Sequence, residues 1–167
     1  MSSVVGVFET VVSQLTLVIC FQSLILDMAG NAGTQSLAVT IRVLMDENLT
    51  GRQKLRLIWK EVRVGAANGC LLGAASFLFV GCYIFLCKDK SVPFAFAVSA
   101  CIGFSLMAAM LISSFMGTVI PMLFHKINVD PAVASGPLIT TVNDLTAVVA
   151  YYGLAWALLI QVLGLSG

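Results

Sequence analysis

Residues 64–86 read VGAANGCLLGAASFLFVGCYIFL, an apolar run without a charged side chain, bounded by Arg63 and, two residues on, Lys88. At 1.5 Å per residue a helix of this length reaches about 34 Å, enough to cross a hydrocarbon core of about 30 Å. A barrel strand would instead alternate apolar and polar positions over about ten residues. The run is continuous, so the expected fold is all-α and membrane-spanning. The rest of the chain agrees: of 167 residues 59% are hydrophobic and 10% charged, and the mean hydropathy is +1.01. Soluble domains carry charge on about a quarter of their residues, so an enzyme of the soluble kind is excluded. Nine basic and eight acidic residues give a net charge of +1, which leaves no basic field for nucleic acid.

Outward from this run, the chain reads as one polytopic transmembrane domain over residues 1–167, with four spans at approximately 10–45, 64–86, 94–124 and 131–163. Gly65, Gly69 and Gly73 recur at every fourth position and form a flat stripe that admits a neighbouring helix. Arg52 to Arg63 is a basic amphipathic lead-in to that span. As a helix the segment 10–45 would be about 50 Å long, so it must tilt, protrude or bend. Gly30 and Gly33 are natural places for a bend or for close backbone approach. Pro131 suits a first helical turn, and Pro137 falls inside the last span.

Four spans put both termini on one side. The opposite side holds Arg42, Arg52, Lys54, Arg56, Lys60, Arg63 and Lys126, against Lys88 and Lys90 on the terminal side. The positive-inside bias then gives a multi-pass cell-membrane protein with its termini on the non-cytoplasmic side. Met1 to Gly6 lacks the basic start of a cleavable signal, so this orientation calls for a further span upstream. Cys20, Cys70, Cys82, Cys87 and Cys101 lie within or at the ends of apolar runs, without a Cys-x-x-Cys pair and with His125 the sole histidine. They read as small hydrophobes rather than as zinc ligands or a disulfide framework.

Two acids interrupt the spans. Asp46, Glu47, Glu61, Asp89 and Asp130 fall in turns or near helix ends, where solvation or capping accounts for them, and Glu9 falls at an interface. Asp27 and Asp144 stand within apolar surroundings, where an ionisable group is costly unless it meets water, a cation or a partner. Thr140, Thr141, Asn143 and Thr146 surround Asp144 with oxygen-bearing side chains, and Thr140 and Thr141 lie about one turn behind it. Oxygen donors without imidazole or thiolate describe a site for a hard cation. The same pattern would also arise from Asp144 hydrogen-bonding to a neighbouring helix. Asp27, Asn31, Thr34 and Gln35 follow spacings of four, three and one, so they cluster toward one helical face. Two polar stripes on separate helices suggest an ion path at their interface, or a hydrogen-bonded helix pair.

Two longer strings carry a family resemblance. Gly30-Asn31-Ala32-Gly33-Thr34-Gln35-Ser36-Leu37-Ala38-Val39, followed by Arg42, resembles the hallmark of the MgtE family of magnesium channels and transporters, which is related to a eukaryotic group of magnesium solute carriers. Asp130-Pro131-Ala132-Val133-Ala134-Ser135-Gly136-Pro137, continuing through Thr140-Thr141-Val142-Asn143-Asp144, resembles its second hallmark. The resemblance implies a homodimer with a central ion pathway lined by the helices bearing these strings, and a magnesium-binding role for Asp144. Gly30, Asn31, Thr34 and Asn143 match pore-lining positions. The chain departs from the family pattern at Ala29, where a glycine is usual, and at Asp27, where a non-acidic residue is usual. It resembles the last four of five membrane helices, without the first span and without the cytoplasmic N-terminal and CBS domains of bacterial members.

The expected function is therefore transport of Mg2+, as cargo, through a dimeric channel-like pore that holds the hydrated ion at Asp144. Asp144, Asn31, Thr34, Asn143, Asp27, Thr140 and Gly30 are the candidate contacts. Magnesium sheds its waters reluctantly, so a wall of carboxylate and amide oxygens suits it. Two further readings stay open at this stage. The same acids would serve a Na+- or H+-coupled magnesium exchanger, with Asp27 as a second titratable group, and the glycine stripe alone would serve a membrane scaffold. Asp27 itself reads either as a second cation contact or as a buried acid kept neutral by desolvation.

Overall fold

The chain forms α1 (Thr16–Cys20), α2 (Gln22–Asp46), α3 (Gly51–Cys87), α4 (Val92–Lys126) and α5 (Pro131–Ala155), seen in a computed structural model that describes residues 16–46, 49–88 and 91–158. The start of the first expected span, residues 10–15, the end of the last, residues 159–163, and Glu9, Glu47, Asp89 and Lys90 lie outside the described residues. Every regular element among the described residues is helical, as the continuous apolar runs lead one to expect.

Local chemistry fixes the ends of these helices. The Thr50 backbone N–H donates to Gln53 Oε1 (2.8 Å), and the Thr50 hydroxyl donates to the same oxygen (2.7 Å), so the residue before α3 is tied to its first turn. Asp130 accepts the Ala132 N–H (2.9 Å) ahead of Pro131, whose missing N–H costs nothing in a first turn. Between α4 and α5 the chain reverses through Asn128, which has a left-handed backbone (φ 58°), a conformation asparagine tolerates better than most residues.

α3, α4 and 136–158 are long and apolar enough to cross a membrane. Four such spans are expected from the sequence; α2 has the length but not the uniform apolarity. Ser23, Asp27, Asn31, Thr34, Gln35 and Arg42 are exposed and form a polar stripe, with Ala38 and Met45 also exposed, while Ile25, Ala29, Ala32, Gly33, Ser36, Leu37 and Thr40 are buried. α3 begins well before the expected span and absorbs the basic lead-in into one continuous helix.

α4 is the central helix. It packs against α3 on one side and against α2 and α5 on the other. The stripe Gly65, Gly69 and Gly73 meets it inside the same chain: a Cβ on Gly73 would lie 2.8 Å from the Gly103 carbonyl, and the reverse is equally true. Close backbone contact of this kind is how small residues bring membrane helices together.

The first segment is interrupted at Phe21, between α1 and α2, and not at the glycine string. Gly30 and Gly33 lie in unbroken helix. Around the break the buried Tyr151 hydroxyl donates to the Val18 carbonyl (2.7 Å) and the Tyr152 hydroxyl donates to Gln22 Oε1 (2.7 Å). The far end of α5 is thereby held against both sides of the break. Glu61 also departs from the sequence reading. It is 5% exposed, on the face of α3 shared with Leu57 and Gly65, not solvated with its basic neighbours.

Candidate functional site

α2 and α5 lie side by side, and their polar residues converge on one open cleft of about 680 Å³ lined by Ser23, Leu24, Leu26, Asp27, Gly30, Asn31, Thr34, Thr140 and Asp144. Six of the seven residues expected from sequence are in this lining: Asp27, Gly30, Asn31 and Thr34 from α2, Thr140 and Asp144 from α5. Asp27 is exposed and Asp144 half-buried, so neither carboxylate is enclosed in apolar packing. Thr141, Thr146 and Gln35, polar neighbours on the same helices, are outside the lining.

The hydroxyl protons of the two cleft threonines are already committed. Thr34 donates back to the Gly30 carbonyl (2.9 Å), with the Asn31 carbonyl also in reach (3.1 Å). Thr140 donates to the Gly136 carbonyl (3.1 Å). Each hydroxyl thus spends its proton inside its own helix and keeps its lone pairs for the cleft. Together with two carboxylates and the Asn31 side-chain carbonyl, the wall is dominated by acceptors. Acceptors attract a cation or the hydrogens of its water shell. No group of three or more His, Cys, Asp or Glu side chains close enough to share one ion occurs among the described residues. The chemistry is that of a lining, not of a chelating cage.

Asn143, the seventh residue, lies behind the wall. It is fully buried, and neither its amide nitrogen nor its amide oxygen has a hydrogen-bond partner. A Cβ on Gly33 would overlap this amide, and a Cβ on Gly117 would overlap the Gly33 carbonyl. Asn143 therefore wedges α5 against α2 at the point where α2 also touches α4. Gly33 is needed because its neighbours leave it no room. Sequence reasoning identified Gly33 as a point of close approach but not Gly117, which carries no local signal in its apolar surroundings.

The sequence is similar to known proteins. The family model MgtE, described as a divalent cation transporter, matches residues 22–154. A magnesium transporter MgtE of Bacillus subtilis is 36% identical over 159 residues, covering 93% of this chain and 32% of its own. That of Enterococcus faecalis is 38% identical over 154 residues, covering 92% and 32%, and that of Thermus thermophilus 32% identical over 158 residues, covering 95% and 33%. The chain thus spans about a third of the length of these relatives.

Proposed function

From the premise that the chain belongs to the MgtE family of divalent cation transporters, we propose that it carries Mg2+ across the membrane along the α2/α5 cleft, with Asp144 as its principal contact. The observation that carries this reading is the convergence of Asp27, Asn31, Thr34, Thr140 and Asp144, from two distant parts of the sequence, on one acceptor-rich surface. The hydrated ion is held through its waters, since Mg2+ dehydrates reluctantly and a lining of carboxylate and neutral oxygens can bind its water shell. Asp27 extends the lining by about one turn beyond Asn31, and biases the entrance toward cations.

The functional unit is a homodimer. A polar cleft with two carboxylates, Asp27 exposed and Asp144 half-buried, opens on the outside of the single chain. Facing hydrocarbon it would be strongly unfavourable. A second copy related by a two-fold axis covers it and brings a second Asp144 to the same path, so that two negative charges face a divalent ion. Asp144→Asn keeps the side-chain size and removes this charge. In proteoliposomes loaded with a magnesium-sensitive dye, this variant takes up Mg2+ at a rate lower by on the order of tenfold or more, with unchanged helicity and thermal stability. Uptake at the wild-type rate would place the path elsewhere.

A further inference from the structure

A second cleft, of about 650 Å³, lies at the other end of the charge distribution, along the first turns of α3. Its polar rim is Gln53, Arg56, Trp59, Lys60 and Arg63, and its apolar floor includes Val43, Leu49, Leu57, Val64 and Ala67. Arg56, Lys60 and Arg63 follow spacings of four and three, so they share a helical face. All three are exposed, and none forms an ion pair among the described residues. The only carboxylate between residues 49 and 64 is Glu61, which is 5% exposed and does not line the cleft. Among the described residues the three cations have no carboxylate partner.

Their depth is equally specific. The uncharged apolar run begins at Val64, so the three cations occupy roughly the 12 Å of helix that precede the hydrocarbon boundary. That is the thickness scale of a headgroup layer. Trp59, 64% exposed, stands among them at the level where indole rings anchor in membrane interfaces. Val64 and Ala67, both exposed, continue the same cleft into the apolar run. The surface is charged where a phosphate would sit and apolar where an acyl chain would follow.

We propose that this cleft binds an anionic phospholipid, its headgroup phosphate held by Arg56, Lys60 and Arg63 and its first acyl segment laid along Val64 and Ala67. Guanidinium groups pair with phosphate oxygens in forked geometry, and clustered basic residues beside a membrane helix are a recurrent device for retaining acidic lipids.

The two tryptophans, Trp59 and Trp156, make a direct test possible. In a Trp156→Phe background the full chain is reconstituted in phosphatidylcholine vesicles, and Trp59 fluorescence is titrated with brominated phosphatidylglycerol or brominated phosphatidylcholine. The expected result is an apparent association of the acidic lipid stronger by on the order of tenfold or more. Replacing Arg56, Lys60 and Arg63 by Gln abolishes the preference, while Lys60→Arg retains it, and circular dichroism stays unchanged in both. Equal quenching by the two lipids, or a preference that survives the triple replacement, overturns the proposal. Displacement of the acidic lipid by a soluble polyglutamate peptide, but not by glycerol phosphate, would assign the cleft to an acidic protein segment and also overturn it.

Discussion

Asp144 and Asp27 stand out in the sequence because a carboxylate within an apolar run has few inexpensive surroundings, and both line one cleft in the structure. Glu61 is buried although the local sequence points to solvent. With Lys60 and Arg63 beside it, it resembles part of a solvated charge run, whereas the face from Leu57 to Gly65 turns it inward. Counting in steps of four would have revealed this. The Gly33 and Asn143 contact yields a prediction at this scale. Gly33→Ala drives a Cβ into the Asn143 amide, and should lower unfolding stability in detergent by about 1–3 kcal/mol. Asn143→Ala in the same chain should recover part of that loss, because the overlapping amide is gone; full additivity of the two losses in a double-mutant cycle would refute the wedge. Asp27→Asn, by contrast, should leave folding unchanged and alter the preference among Mg2+, Mn2+ and Ca2+ in competition uptake.

Elements were legible where their signals are long and periodic, and less so at their ends. The glycine stripe correctly implied a closely packed helix, but only three-dimensional contact identifies α4 of the same chain as its partner. The break at Phe21 has no glycine or proline to mark it; it coincides with tyrosine hydrogen bonds from more than a hundred residues away, which no local reading supplies. Tyr151→Phe removes the donor to the Val18 carbonyl while keeping the ring, and should cost about 1 kcal/mol in denaturation, with helical content unchanged. Gly73→Val should cost more, since the backbone of Gly103 cannot move aside as a flexible side chain could, and its denaturation midpoint should fall below that of Tyr151→Phe.

At the scale of the whole molecule, the exposed acceptor stripe on α2 is the feature that demands another surface. Its existence was visible in the spacing of Asp27, Asn31 and Thr34; its exposure became visible only once the buried faces of the bundle were defined. Gln35→Cys, in a chain whose native cysteines are replaced, should form a disulfide-linked dimer in membranes on mild oxidation. A monomer under those conditions, with transport retained, would remove the two-fold arrangement. The most direct test of the ion path uses Thr34→Cys in the same background. Reconstituted in vesicles, this cysteine should react with a small cationic thiosulfonate reagent. Mg2+ should slow the reaction several-fold, and Asp144→Asn should abolish that protection. Labelling at one rate with and without Mg2+, in the presence of intact Asp144 and active uptake, would contradict a path along the α2/α5 cleft.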